Sequence, residues 1–244
     1  MKIIELCSFW SKDKLIQRCQ EIGTRAFDRG FRQKAITADE LTFPNFTKCV
    51  RKGESPPMWQ YTFTGVDLSG EKRKGNVIIT IAVNNDGYKY PIDIRTGEWT
   101  SPQTADQIKE VNEIYKPIVV HVENNAYQNS ILEWMREKGY GTIPLKAFTT
   151  GKQKSDSDIG LPSLDVQFEQ NNWRFYLPDH QAGCRCPWCQ FEREVSQHPG
   201  CVTTDCVMAL WFAERAYKMY GVRRGVKEQK ASPGITAGLR GKQW

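Results

Sequence analysis

A chain of 244 residues, 39% of them hydrophobic, is long enough to bury a full core as one large domain, alone or with attachments. Its apolar runs, such as 77–83, are strand-sized, and no leader-like apolar core opens it, which excludes a membrane span and a secretory signal and predicts a soluble, intracellular protein. Eight cysteines in such a chain point to reduced thiols or metal binding in preference to disulfides.

The 34 basic and 28 acidic residues leave a net charge of +6, and its placement is uneven. After Tyr220, Arg223, Arg224, Lys227, Lys230, Arg240 and Lys242 stand against Glu228 alone, so the rest of the chain is close to neutral. A basic tail on a neutral, acid-containing body suits electrostatic capture of a polyanion by the tail and chemistry in the body; a solubilising tail is the alternative.

In chain order, residues 1–57 read as an N-terminal appendage or linker. Ser11 caps a helix that sets Leu15, Cys19, Ile22 and Ala26 on one face and ends at Gly30. A polar, irregular stretch follows through Pro44, Lys52, Gly53, Pro56 and Pro57. Arg25, Arg29, Arg32 and Lys34 make this region basic, and no GxxxxGK[ST] phosphate loop occurs in the sequence. The main domain, 58–220, opens with strands at 61–66, 76–83 and 88–94, the last two joined by Asn84-Asn85-Asp86-Gly87, a hairpin signal. Ser101-Pro102 then caps and starts a helix with Ile108, Val111 and Ile114 on its apolar side. After Pro117 comes a short β-branched strand ending at Glu123, a helix over 126–138 and a strand over 142–148. A basic loop spans 149–155, a helix covers 164–169 and a strand 173–177. A cysteine cluster and a densely apolar helix over 203–213, capped by Thr203 and Thr204, complete the domain, and 221–244 form a basic, flexible tail.

Three hairpin-connected strands followed by helix, strand, helix and strand predict an α/β fold with a mixed five-stranded sheet flanked by helices. The first strand is central and the fourth pairs beside it, which is the RNase H-like architecture. Their carboxyl ends carry Asp67 and Glu123, at the position where open α/β sheets place ligands. Asp205 enters the first turn of the last helix, where it serves either as a third acid or as a favourable capping charge. Clustered carboxylates suit Mg²⁺ or Mn²⁺. Two such ions about 3.5–4 Å apart support phosphodiester hydrolysis, with Asp67 between them and Glu123 and Asp205 on either side.

Gly65-Val66-Asp67, Val122-Glu123-Asn124-Asn125-Ala126-Tyr127-Gln128 and Asp205-Cys206-Val207-Met208-Ala209-Leu210 resemble the nuclease domain of the tailed-phage terminase large subunit, across roughly residues 60–215. The Glu-Asn-Asn-Ala-x-Gln string is the most specific of the three. The resemblance implies an endonuclease that cuts concatemeric double-stranded DNA during genome packaging in the infected host's cytoplasm, with Asp67, Glu123 and Asp205 as its acidic triad. It also implies a packaging ATPase, a portal and a small terminase subunit as partners, and the N-terminal piece resembles the segment linking nuclease to ATPase. The chain departs from the pattern where many relatives carry His-Asp-Asp: here stand Thr203, Thr204 and Asp205, and Met208 replaces a further Asp. Asp205 is left as the third acid. With no ATPase in the sequence, the chain reads as an excised domain or as one half of a split motor.

Lys152 and Lys154, on the same sheet end, are candidates for DNA-backbone contact together with Arg223 and Arg224; a solvated loop is the alternative for the two lysines. Asn124 and Gln128 are candidates to hold Glu123, with helix capping accounting for part of the same pattern. His180, Cys184, Cys186 and Cys189 have zinc-ligand spacing within a knuckle over 180–201, with His198 and Cys201 as further candidates. A helix over 191–197 would carry His198 about 12 Å from Cys189, which favours His180 as the fourth ligand. Unliganded thiols are the alternative, and a catalytic thiol lacks an activating base. Two other functions fit less closely: a non-catalytic DNA-binding or motor-docking adaptor, and another RNase H-like nuclease such as a junction resolvase or integrase.

Overall fold

The computed structural model describes residues 10–32, 41–68, 75–123, 126–148, 151 and 159–221. Helix α1 (Lys12–Phe31) starts where the Ser11 hydroxyl accepts the Lys14 amide. Leu15, Cys19, Ile22, Ala26 and Phe27 form a small separate cluster along it. The helix runs past Gly30 but kinks at Gly23, whose φ of 80° leaves the helical region. A Cβ at Gly23 would meet Val166 Cγ2 at 2.8 Å, so the bare backbone lets α1 press on its neighbour.

Residues 41–52 correct the linker expectation. Phe43, Phe46 and Cys49 are buried in the main core, the last two within α2 (Phe46–Cys49). Strand β1 (Val50–Lys52) follows. Three apolar residues at three-residue spacing were masked by polar neighbours that face outward.

The meander consists of β2 (Tyr61–Asp67), β3 (Asn76–Val83) and β4 (Lys89–Gly97). Its β3–β4 turn is fixed by Asn84 Oδ1, which accepts the Asp86 and Tyr88 amides at 3.1 and 2.9 Å, and by Gly87 at φ 83°. Helix α3 (Ser101–Tyr115) is capped by Thr100, with Gln103 Oε1 accepting the Thr100 amide at 2.9 Å; Ser101 is the first helical residue instead of the cap. Ile108 and Val111 are buried, but Ile114 is 56% exposed, and Thr104 and Ala105 complete the inward face. Then come β5 (Val120–Glu123), α4 (Ala126–Glu137), β6 (Leu145–Phe148), α5 (Pro162–Glu169), β7 (Phe175–Leu177), α6 (Pro187–Gln197) and α7 (Asp205–Ala216). A wider π turn over Tyr217–Gly221 extends α7.

The main sheet has the order β4-β3-β2-β5-β6, with β2 central, antiparallel to β3 and parallel to β5. A small parallel sheet pairs β1 with β7. One core, containing Val66, Ile78, Ile108, Val111 and Ile131, fills the α3–α4 side of the main sheet. The other contains Phe63, Ile79 and the long apolar face of α7.

Gly65 decides how α7 lies. A Cβ there would stand 2.1 Å from the Ala209 carbonyl oxygen and 2.4 Å from the Ala213 amide nitrogen, so helix backbone rests directly on the central strand. Replacing Gly65 by Ala is expected to cost about 3 kcal/mol or more in a denaturant titration, because backbone on both sides must move. Gly30→Ala, where a Cβ meets nothing within 4 Å, should stay within about 1 kcal/mol of the parent. Equal stability of the two variants would refute the close approach.

Candidate metal and nucleic-acid site

Asp67 is the last residue of β2 and Glu123 the last of β5. The parallel register runs Thr64↔Val120, Gly65↔His121, Val66↔Val122, so the two acids stand one step beyond the final pair. Side chains alternate faces along a strand. Gly65 lies against α7, so Asp67, two residues on, shares that face. His121 bonds the Phe212 backbone in α7, so Glu123 shares it too.

Helix α7 runs antiparallel to β2, one turn for every two strand residues, since 5.4 Å of helix nearly matches 6.6 Å of strand. Tyr217 and Gly221 meet Phe63, and Ala209 and Ala213 meet Gly65, which brings Asp205 at the helix start toward Asp67. Two contacts agree. Asp205 Oδ2 lies 3.9 Å from where a Gly75 Cβ would stand, two residues before Val77, the β3 partner of Asp67. The Cys206 thiol is held well above its usual range by burial first, then by the Glu194 charge, with Asp205 and Asp67 adding smaller effects. The three acids therefore line one end of one sheet face, and Asp67 is buried there.

A second cluster is tighter. His180, Cys184, Cys186 and Cys189 place one ligand atom each within 4.8 Å of the others, the only such group of three or more among the described residues; the three acids do not close to that distance. His180 Nδ1 lies 3.5, 3.3 and 3.5 Å from the sulfurs of Cys184, Cys186 and Cys189. Tetrahedral zinc with bonds of about 2.0–2.3 Å sets nitrogen–sulfur edges near 3.6 Å, so this set could hold zinc. The described cysteines are all free thiols. His198 is drawn elsewhere, its Nδ1 2.8 Å from Thr42 Oγ1, while Cys201 lines a neighbouring cavity.

That cavity, about 370 Å³, is also lined by Arg185, Arg193, Gln190, Gln197 and Thr203. Its arginines stand singly among cysteines and glutamates, so no basic run in the sequence marks them. Glu194 was missed as well. It is buried on α6, where its Oε2 accepts the Cys206 amide at 2.8 Å and its Oε1 accepts the Thr203 hydroxyl at 2.6 Å. The start of α7 is thus capped by Glu194 across an interface. Thr204 makes no side-chain cap bond and Thr203 acts as a donor, which corrects the expected threonine cap. Lys152, Lys154, Arg223, Arg224 and Asn124 lie outside the described residues, as does the side chain of Gln128 in α4.

No protein-family model matches this sequence, and no curated protein matches it either. Solved structures do. The large terminase nuclease of thermophilic phage G20c, in its magnesium-bound form, superposes with a TM-score of 0.53 at 14% identity, covering 73% of this chain and 98% of that one. Its zinc-bound form gives 0.51 over the same shares. The chain has the fold of the large terminase nucleases. The large terminase of bacteriophage HK97 superposes with a TM-score of 0.51 at 12% identity, covering 86% of this chain and 51% of that one. This chain therefore spans about half the length of the HK97 terminase. The terminase-nuclease fold accounts for the β4-β3-β2-β5-β6 sheet with α7 laid across it. Among the described residues no helix is long and apolar enough to cross a membrane.

Inside this fold His121 is 1% exposed, with its Nδ1 unpartnered among the described residues and its ring stacked on Phe148. Burial drives its pKa down to about 4, against the hydrogen bond to the Phe212 carbonyl that raises it. The unfolded chain binds a proton near pH 6.5 that the folded chain refuses until about 4, so stability is full above 6.5 and falls as pH drops through that window. The loss approaches roughly 3 kcal/mol at the acid end. His121→Phe should flatten that part of the stability–pH curve, and an unchanged slope between pH 6.5 and 4 would contradict the assignment.

Proposed function

We propose that this chain is a divalent-metal-dependent endonuclease that cuts double-stranded DNA, the nuclease part of a viral genome-packaging machine. The observation that carries the reading is the arrival of Asp67, Glu123 and Asp205 from three different elements at one end of one sheet face. The likeness to the G20c nuclease, whose structures include forms with bound magnesium and cobalt, supports it.

The donor set fits the group. Mg²⁺ and Mn²⁺ prefer carboxylate oxygen and retained water, and all three side chains supply hard oxygen at one end of the sheet. Asp67, Glu123 and Asp205 are the residues that would hold the cations. Bound there, two cations supply an activated water and neutralise charge on the leaving oxygen of a phosphodiester. The protein's own part is positioning. Asp67 is fixed by the central strand, Glu123 by the parallel neighbour and Asp205 by the helix start. Asn124 and Gln128 steady Glu123. Arg185 and Arg193, with Lys152, Lys154, Arg223 and Arg224, hold the DNA backbone without reading sequence. His180, Cys184, Cys186 and Cys189 bind a structural zinc. Residues 41–220 form the nuclease unit, the segment before them leads into it and 221–244 are a basic tail. A packaging ATPase, a portal and a small terminase subunit complete the machine in the host cytoplasm, where concatemeric DNA is the substrate.

Cleavage of supercoiled plasmid tests the reading. The protein should nick and linearise it with Mg²⁺ or Mn²⁺ but not with chelator, and Asp67→Ala should lower the rate by about 10²-fold or more. Intact plasmid under every condition, with DNA still retarded on a gel, would replace the nuclease by a non-catalytic DNA-binding adaptor. Elemental analysis of the purified protein should give one zinc per chain, lost in Cys184→Ser; absence of zinc from the parent would leave the knuckle as unliganded thiols.

A further inference from the structure

We infer that Glu194 is the residue that positions Asp205, and that the cysteine–histidine knuckle acts on the acidic site through it. The inference deepens the nuclease reading and rests on it. Glu194 is 3% exposed, and among the described residues its hydrogen-bond donors are the Gln190 carboxamide, the Thr203 hydroxyl, and the Cys206 amide and thiol. A buried carboxylate is costly to desolvate, so a site that holds one needs converging donors such as these. Capping alone does not require it. Thr204 already occupies the cap position of α7, and its short hydroxyl side chain is the ordinary solution there, yet it makes no cap bond. What Glu194 adds is a fixed point on a second helix. By taking the Cys206 N–H it fixes the peptide plane between Asp205 and Cys206, and with it the direction in which the Asp205 side chain leaves the backbone.

The second helix leads back to the knuckle. Cys186 caps α6, its sulfur accepting the Cys189 amide at 3.5 Å, and Cys189 lies in the first turn. Glu194 follows five residues later on the same rigid rod, about 7.5 Å along its axis. Arg193, next to Glu194, donates to the Cys184 carbonyl at 2.8 Å and ties the knuckle loop to this stretch of helix. Cys184, Cys186 and Cys189 therefore set where α6 begins, α6 sets where the Glu194 carboxylate lies, and that carboxylate sets the start of α7. The knuckle and the acids are linked by one helix and two hydrogen bonds.

The test uses the full, zinc-loaded chain and three variants: Glu194→Ala, Glu194→Gln and Glu194→Asp. Mn²⁺ binding is followed by calorimetry, Cys206 amide exchange by NMR, and plasmid cleavage by kcat and KM. Glu194→Ala and Glu194→Asp, the latter one methylene too short to reach the amide, should bind Mn²⁺ about 10-fold or more weakly, the usual loss for a group that orients a metal ligand. Their Cys206 amide should exchange faster, and kcat should fall with KM for DNA unchanged. Glu194→Gln keeps an oxygen for the Cys206 amide and should stay within about 3-fold of the parent, a rescue a purely electrostatic role would not give. If Glu194→Ala does not fold, the Gln–Asp comparison decides. Equal Mn²⁺ affinity across the parent, Gln and Asp proteins overturns the positioning role alone. A parent that takes up no Mn²⁺ overturns the nuclease reading and this inference with it.

Discussion

The bare backbone of Gly65 is the constraint on which the rest of the molecule depends. Any side chain there would collide with the Ala209 carbonyl and the Ala213 amide, so a glycine in the central strand is what allows α7 to lie directly on the sheet. From that contact the geometry follows with little freedom. The helix advances one turn per two strand residues, so seating Ala209 and Ala213 on Gly65 brings Asp205 toward the strand end that carries Asp67. The packing contact at Gly65 and the proposed metal-site residue Asp67 stand two residues apart on β2.

Polar contacts then fix the helix along its length and about its axis. Near the carboxyl end, Glu214, fully buried, accepts from Lys89 at 3.1 Å, and the Lys89 ammonium also bonds Gln167 and lies over the rings of Trp173 and Tyr217. A buried ion pair adds little net stability over a well-packed apolar pair, but breaking one side of it costs about 3–5 kcal/mol, so it defines register more than it adds cohesion. Near the amino end, Glu194 takes the Cys206 amide. Apolar packing alone would let α7 slide or rotate by a fraction of a turn; charged and hydrogen-bonded contacts at both ends remove that freedom.

The sheet order was legible because each strand announces itself. Val77 to Val83 and Val119 to Val122 are β-branched runs bounded by turn residues, and Asp86-Gly87 marks the hairpin. His180 could be preferred to His198 by helical rise alone, and His198 in fact bonds Thr42, 156 residues away in sequence. Other features left no local trace. Phe43, Phe46 and Cys49 join the main core although prolines and lysines surround them in sequence, because burial depends on what β7 and α5 bring to that side. The cap on α7 was assigned to its threonines by local rules, whereas a carboxylate from α6, supplied by tertiary folding, won the amide. Thr100 displaced Ser101 as the α3 cap for a simpler reason: two adjacent hydroxyl residues compete, and only Thr100 has Gln103 at the spacing that returns a bond to its amide. Contacts made across elements are invisible to patterns read along one element, and the determinants of the start of α7 are of that kind.

Anomalous scattering from crystals grown with Mn²⁺ and a short DNA duplex tests the central claim most directly. The account predicts manganese peaks bounded by Asp67, Glu123 and Asp205, about 3.5–4 Å apart, with a phosphate of the duplex against them. Manganese confined to the cysteine–histidine knuckle or to the solvent-facing surface, with the duplex bound away from the three acids, would contradict it.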